Sequence, residues 1–297
     1  MPDEKSLLKK IQELETQIAT KDQDLKIYRD ELSLANKKLE ALIIQMNDQL
    51  QHAHRIQRYL VPTEFPNIQG FEFSTKFKSS SLSGGDYFDI FEHHDKMRFG
   101  IFLSSASGYG MSALFLSVLM KMTFEIEDRQ SRDPAQVMVE IIQELQGQSQ
   151  PKDSAAIFYG VFDRRKFELT YSNLGQPLVL FYQDESQRLD LLKGGEAHFP
   201  MAGEKPVFEN LSIELNPKDK LILCSKGFLD LTNQEGHHWG MDELISVIKR
   251  NVSKDVHALR NEIFYQADKF CPEPPRDLTV IVLEVKERII KLASDLS

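Results

Sequence analysis

The chain has 297 residues, 41% hydrophobic and 27% charged, which is room for about two domains and enough apolar material to exclude wholesale disorder. Its formal net charge of −9 makes nucleic acid or an anionic membrane a poor main partner. Two cysteines, Cys224 and Cys271, make neither a disulfide framework nor a zinc cluster.

No proline stands between Pro2 and Pro62, and the first glycine is Gly70, so residues 1–60 read as one unbroken helix. The opening Met-Pro-Asp-Glu-Lys lacks the basic-then-apolar pattern of a signal peptide. The longest apolar stretch, 113–122, contains Ser117 and Lys121 and is far short of a membrane span. The expectation is a soluble cytoplasmic protein.

Residues 1–60 hold 10 basic and 10 acidic side chains, so the surplus of negative charge belongs to the rest of the chain. Leu7, Ile11, Leu14, Ile18, Leu25, Tyr28, Leu32, Ala35, Leu39, Leu42, Met46, Ala53 and Ile56 follow alternating steps of four and three, interrupted only by Lys21 and Gln49. That period of ~3.5 predicts a left-handed coiled coil, and Ile11 and Ile18 at a with Leu14 at d favour two parallel strands. At ~1.5 Å per residue the helix is on the order of 80 Å long. A single amphipathic helix packed on the downstream domain is the blander alternative, but the stripe is narrow and one small domain does not cover such a length. Lys21 at a d position either sets register or is a tolerated defect.

From residue 61 onward the pattern changes. Short β-rich runs occupy 71–77, 87–91, 97–103, 155–162, 167–172, 178–182, 221–224 and 278–285, with helical patterns near 110–126, 134–147, 241–251 and 255–269. Strands clustered into meanders, with helices in separate blocks, predict an α+β layered domain with mostly antiparallel sheet over 61–297. A charged tail, 286–297, reads as a short terminal helix.

Six phrases then occur in a telling order. They are Ala53-His54-Arg55-Ile56-Gln57 with Leu60-Val61-Pro62, Gly84-Gly85-Asp86-Tyr87-Phe88-Asp89, Ser107-Gly108-Tyr109-Gly110, Asn173-Leu174-Gly175-Gln176-Pro177, Ser225-Lys226-Gly227 with Trp239-Gly240, and Arg276-Asp277-Leu278-Thr279-Val280. Each is weak alone. Together they resemble the SpoIIE/RsbU branch of the PPM, or protein phosphatase 2C-like, serine/threonine phosphatases over about residues 53–285. The resemblance implies an αββα sandwich of two sheets flanked by helices. It marks Ala53, Ile56, Gln57 and Leu60 as a switch helix and Gly84, Gly85, Gly108, Gly110 and Gly227 as motif-loop glycines. It also implies two Mn²⁺ or Mg²⁺ ions, held by four aspartates, that activate a water for attack on a phosphoserine or phosphothreonine.

Position by position, the first aspartate is Asp86, the second falls at Ser105, the third at Lys226 and the fourth at Arg276. Four negative charges become a net single positive one, and such a site repels divalent cations. The two new cations are expected to pair with Asp86 and hold the loops in place. Asp277, beside Arg276, is expected on the opposite face of a strand and so is a poor substitute. The hydroxyls of Ser104 and Ser105 make weak ligands, and the first acid after Lys226 is Asp230. The blander reading of Asp86 is a strand brace. That of Cys224 is a small packed hydrophobe. His93-His94 and His237-His238 read as exposed loop residues.

These readings point to a pseudophosphatase with no metal cofactor, in which a coiled-coil homodimer presents two inactive domains in a partner-switching type of pathway. The resemblance implies a STAS-type antagonist or a switch kinase as partner. Two alternatives stand beside it. One is an active phosphatase with an altered Mn²⁺ or Mg²⁺ site. The other is a structural coiled-coil protein with a globular cap.

Overall fold

The structure, a computed structural model, describes residues 4–60, 62, 64–80, 84–107, 118, 133–146, 154–194 and 207–287. Apart from residue 118, the helix expected near 110–126 lies outside them, as do Gly108, Gly110 and the tail beyond residue 287. The chain separates into two compact units, Met1–Gln51 and His52–Ser297.

The long helix is present as α1 (Glu4–Leu60). Within the first unit, Leu7, Ile11, Leu14, Ile18, Leu25, Tyr28, Leu32, Leu39 and Leu42 are each 48–66% exposed. In a single chain these nine side chains therefore stand about half in water or more. The side chains of Met46, Ala53, Ile56, Gln57 and Leu60 lie outside the described ones.

The second unit contains ten described strands: β1 (Phe71–Lys78), β2 (Asp86–Glu92), β3 (Arg98–Ser107), β4 (Ser154–Asp163), β5 (Glu168–Leu174), β6 (Leu178–Gln183), β7 (Arg188–Leu191), β8 (Leu211–Glu214), β9 (Lys220–Cys224) and β10 (Leu278–Val285). They form two five-stranded sheets, ordered β1-β10-β9-β6-β7 and β2-β3-β4-β5-β8. Every strand pairing is antiparallel. The remaining described helices are α2 (Pro134–Gln146), α3 (Gly240–Asn251) and α4 (Val256–Phe270).

Period-two alternation along the central strands produces the layers. On β10, Ile281, Leu283 and Val285 join the core between the sheets. The alternate residues Leu278, Val280 and Val282 join a second core with Leu244, Val247 and Ile248 of α3 and Leu259, Ile263 and Phe264 of α4. β4 does the same for the other sheet. Phe158 and Phe162 point to the inter-sheet core, while Ile157 and Tyr159 meet Val137, Met138 and Ile141 of α2. Both faces of each central strand are covered, which is why β10 is apolar at six of its eight positions and buried at all eight. The result is the expected αββα sandwich.

Two strands were not readable in advance. β7 and β8 have four residues each, pair on one side only and bury little. Such edge strands lack the apolar run that marks a central one. His93 corrects the expectation of an exposed loop histidine. It is 3% exposed, with its ring 5.3 Å from that of Phe91 and its Nε2 3.4 Å from the Tyr159 hydroxyl. Cys224 is buried on β9, and that burial pushes its thiol pKa up, as suits a packed hydrophobe.

The inter-sheet core has an aromatic centre. The Phe99 and Phe162 rings stack at 4.4 Å with planes 2° apart, and Phe71 meets Phe99 edge-on at 4.9 Å. Phe99→Ala should lower the unfolding free energy by about 3–5 kcal/mol in urea titration, and a loss under about 1 kcal/mol would contradict this packing.

Candidate functional site

Strand register brings the first two motif positions together. Asp86, the first residue of β2, lies opposite Ser105 on β3. Ser105 Oγ donates to Asp86 Oδ1 at 2.7 Å. The other carboxylate oxygen takes a bond from the opposite sheet, where Thr279 Oγ1 on β10 donates to Asp86 Oδ2 at 2.7 Å. Asp86 therefore couples the two sheets at one end of the sandwich.

Asp277 completes this join. Its Oδ1 accepts from Ser80 N at 2.8 Å, and its Oδ2 accepts from Gly85 N at 2.9 Å and Asp86 N at 3.3 Å. Asp277 and Thr279 are two residues apart at the start of β10 and face the same way, while Arg276 faces away. The side chain next to Asp86 is thus that of Asp277, which the sequence reading had set aside. Asp277 serves as a clamp on backbone N–H groups at the start of β2.

The Ser225-Lys226-Gly227 motif follows β9 and opens a 3-10 turn, Lys226–Asp230. Ser225 Oγ donates to Asp277 O at 3.2 Å and accepts from Thr279 N at 3.0 Å. A Cβ at residue 227 would lie 2.0 Å from Asp277 O, so glycine is required for this close approach. Gly175, at φ +65, turns the Asn173–Pro177 loop.

Lys226 and Arg276 depart from expectation. Arg276 Nε pairs with Asp230 Oδ2 at 2.9 Å, with both side chains about 40% exposed. The expected pairing of Arg276 with Asp86 is therefore corrected, because the alternation that turns Asp277 inward turns Arg276 outward. Lys226 and Arg276 line a cavity of about 570 Å³ with Asn173, Lys193, Gly194 and Asp230.

The electrostatics divide accordingly. Burial, then the negative charge of Asp277, raises the Asp86 pKa from 3.8 to about 7, against hydrogen bonds from Ser225, Thr279 and Ser105 that lower it. Burial holds the Lys226 ammonium below its usual range, with Asp230 opposing that shift and Arg276 adding to it. Among the described residues, no three His, Cys, Asp or Glu side chains converge in a way that could hold a metal ion.

Sequence reasoning located Asp86, Ser105, Lys226 and Arg276, and quoted Asn173, Ser225 and Thr279 within motif phrases without giving them a role; it missed the clamp role of Asp277. Alternation along 277–279 was the available signal for the pair facing Asp86.

Two antiparallel sheets between helices, with these motif loops gathered at one end, define a protein phosphatase 2C-like domain. The chain belongs to the SpoIIE family, described as Stage II sporulation protein E (SpoIIE), whose model matches residues 95–286. Ser105, Lys226 and Arg276 lie inside that span and Asp86 just before it. The fold is similar to the SiaA-PP2C domain of Pseudomonas aeruginosa, with a TM-score of 0.66 and 19% identity over 83% of this chain and 98% of that one. It is also similar to the RsbU and RsbW domains of a Mycobacterium tuberculosis protein, with a TM-score of 0.62 and 15% identity over 77% and 65% of the two chains. The PP2C phosphatase domain of SpoIIE from Bacillus subtilis, solved with a fragment of its regulatory domain, matches with a TM-score of 0.59 and 15% identity over 72% and 63%. No curated protein matches the chain.

The raised Asp86 pKa makes a pH prediction. The folded protein holds this proton more tightly than the unfolded chain does, so the contribution is complete below pH 3.8 and is lost as pH rises through about 7. Relative to Asp86→Asn, the wild type should lose up to roughly 4 kcal/mol of stability across that window, measured by urea unfolding at a series of pH values. A stability difference that stays flat with pH would contradict the assignment.

Proposed function

We propose that this chain is a pseudophosphatase: a SpoIIE-family domain that has lost two-metal chemistry and serves, as a coiled-coil dimer, as a binding and regulatory module in a partner-switching pathway. The observation that carries the reading is the side chains at the four metal-ligand positions. Asp86 is engaged by two hydroxyls, Ser105 is one of the donors, and Lys226 and Arg276 bring positive charge. The neighbouring carboxylate, Asp277, has both oxygens occupied by backbone N–H groups.

These residues do not fit a pair of divalent cations. Hard cations take six or more oxygen ligands, largely carboxylates. At an effective dielectric of ~20, one unit charge ~4 Å from another is worth ~4 kcal/mol, so each misplaced cation is a substantial barrier to a second one. Without the metal there is no activated water, and positioning alone does not supply a nucleophile.

The exposed seam of α1 supports the dimer. Nine large apolar side chains on one heptad stripe stand about half in water or more, and a second copy of the same helix covers such a stripe by knobs-into-holes packing. SpoIIE membership, and the likeness to a chain that carries RsbU and RsbW domains, support a STAS-type antagonist or a switch kinase as the partner. No described helix is long and apolar enough to cross a membrane, and the acidic balance argues against nucleic acid.

Calorimetry with Mn²⁺ on the full chain should show no saturable binding, and a phosphoserine protein should release no phosphate. Tight two-site binding, or metal-dependent release, would overturn the proposal. Ser105→Asp, which sets a second carboxylate opposite Asp86, combined with Lys226→Asp and Arg276→Asp, which remove the positive charge, should raise Mn²⁺ affinity, with turnover depending on the surrounding hydrogen bonds.

Light scattering should give twice the chain mass of 34.2 kDa. Lysine at both Leu14 and Leu32 should return it to the single-chain value. A wild-type monomer at micromolar concentration would contradict the seam.

A further inference from the structure

The a/d seam does not account for all the exposed apolar side chains of α1. Leu8 and Ile43 stand at e positions beside the seam, and a partner helix covers them with it. Ile27, Leu34 and Ile44 are placed differently. They are 51%, 56% and 63% exposed and occupy c, c and f positions. At a period of ~3.5 that face lies roughly 150° around the helix from the seam. Ala41, also exposed, continues the c row, so 27, 34 and 41 stand one heptad apart and 44 follows three residues on. A parallel dimer buries its seam and leaves this second row in water on both of its outer sides. Single exposed apolar residues need no explanation, but a row that repeats at heptad spacing reads as a helix contact.

The charges along the row say what covers it. Asp30 and Glu31 lie four and three residues before Leu34, and Lys37 and Lys38 lie three and four residues after it. All four side chains are exposed. Under a two-fold axis through Leu34, an antiparallel copy sets Asp30 against Lys38, Glu31 against Lys37, Ile27 against Ala41 and Leu34 against itself. A parallel copy in register sets Asp30 against Asp30 and Lys37 against Lys37, and like charges facing one another are unfavourable. Exposed ion pairs contribute little stability, so here the charges set orientation and the apolar row supplies the contact. The surface is complementary to itself, reversed.

We infer that the 27–44 face of α1 is a second association surface, through which one coiled-coil dimer of this chain binds another antiparallel to it. The inference rests on the parallel dimer of the proposed function and extends it to a larger assembly. The contact is isologous, so it needs no second kind of partner. Each dimer carries the face twice, on opposite sides, so one contact makes a tetramer and leaves outer faces open to further dimers. The row is short beside the seam, so the dimer forms first and the larger assembly follows at higher concentration. Across the contact the two Gln51 ends of the helical unit lie about 50 Å apart, at ~1.5 Å per residue.

The test is sedimentation of the full chain from micromolar to near-millimolar concentration. The wild type should rise from two chains to four or more. Leu34→Lys, which leaves every a and d residue in place, should stay at two chains throughout. Asp30→Lys with Glu31→Lys should do the same, and adding Lys37→Glu and Lys38→Asp to that pair should restore the rise. Far-UV circular dichroism of each variant separates lost association from lost helix. Orientation is read by disulfide cross-linking, for which the chain's own cysteines are buried. A mixture of Ile27→Cys and Ala41→Cys chains should cross-link between the unlike chains, since only an antiparallel contact brings these positions within disulfide reach.

A wild type that stays at two chains at every concentration would overturn the inference and leave the proposed dimer standing. Cross-linking of Ile27→Cys chains to one another, with no 27–41 product, would overturn the antiparallel arrangement. Single chains from Leu34→Lys would overturn both, because the c row would then be the dimer seam.

Discussion

The sandwich is tied at one end by two carboxylates that do different work. Asp277 accepts three backbone N–H groups from the segment that leads into β2. Asp86 then accepts hydroxyl protons from β3 and β10. The first fixes where the Gly84-Gly85-Asp86 segment lies, and the second joins the two sheets directly. Buried charged groups of this kind are costly unless their oxygens are satisfied, and here hydrogen bonds do that. The end of the sandwich is kept in shape by the chain itself.

On the proposed reading, that substitution of hydrogen bonds for metal ions lets the fold survive while the chemistry changes. A two-metal site is also an electrostatic keystone, since four carboxylates facing one another repel until cations arrive. Replacing the second carboxylate with Ser105 turns a repulsive neighbour into a donor. Replacing the third and fourth with Lys226 and Arg276 moves positive charge to the rim, where Arg276 finds Asp230. On the proposed reading, one set of substitutions removes a catalytic centre and leaves Lys226 and Arg276 on the wall of a cavity.

Much of this arrangement was legible in the chain. Alternation and apolar runs marked all eight of the longer strands, and the heptad stripe marked α1. The motif order led to Asp86, Ser105, Lys226 and Arg276. What was not legible depended on contacts between distant segments. β7 and β8 bury too little to leave a pattern. The partner of Arg276 is 46 residues away in Asp230, and proximity of that kind has no local signature. Thr279 reads as an ordinary strand residue until β10 is placed opposite β2. Asn173 and Gly194 meet only because the end of β5 and the segment after β7 converge. The alternation of 276, 277 and 279 was visible throughout, and applying it to which residue faces Asp86 would have predicted the clamp.

The central claim of the proposed reading is that hydrogen bonds of the chain satisfy Asp86 where an active phosphatase uses metal ions. Crystals soaked in Mn²⁺ and measured at the manganese absorption edge test it most directly. The account predicts no anomalous peak within coordination distance of Asp86, with the Ser105 and Thr279 hydroxyls still donating to its carboxylate. Two anomalous peaks bridged by Asp86, with those hydroxyls displaced, would contradict it.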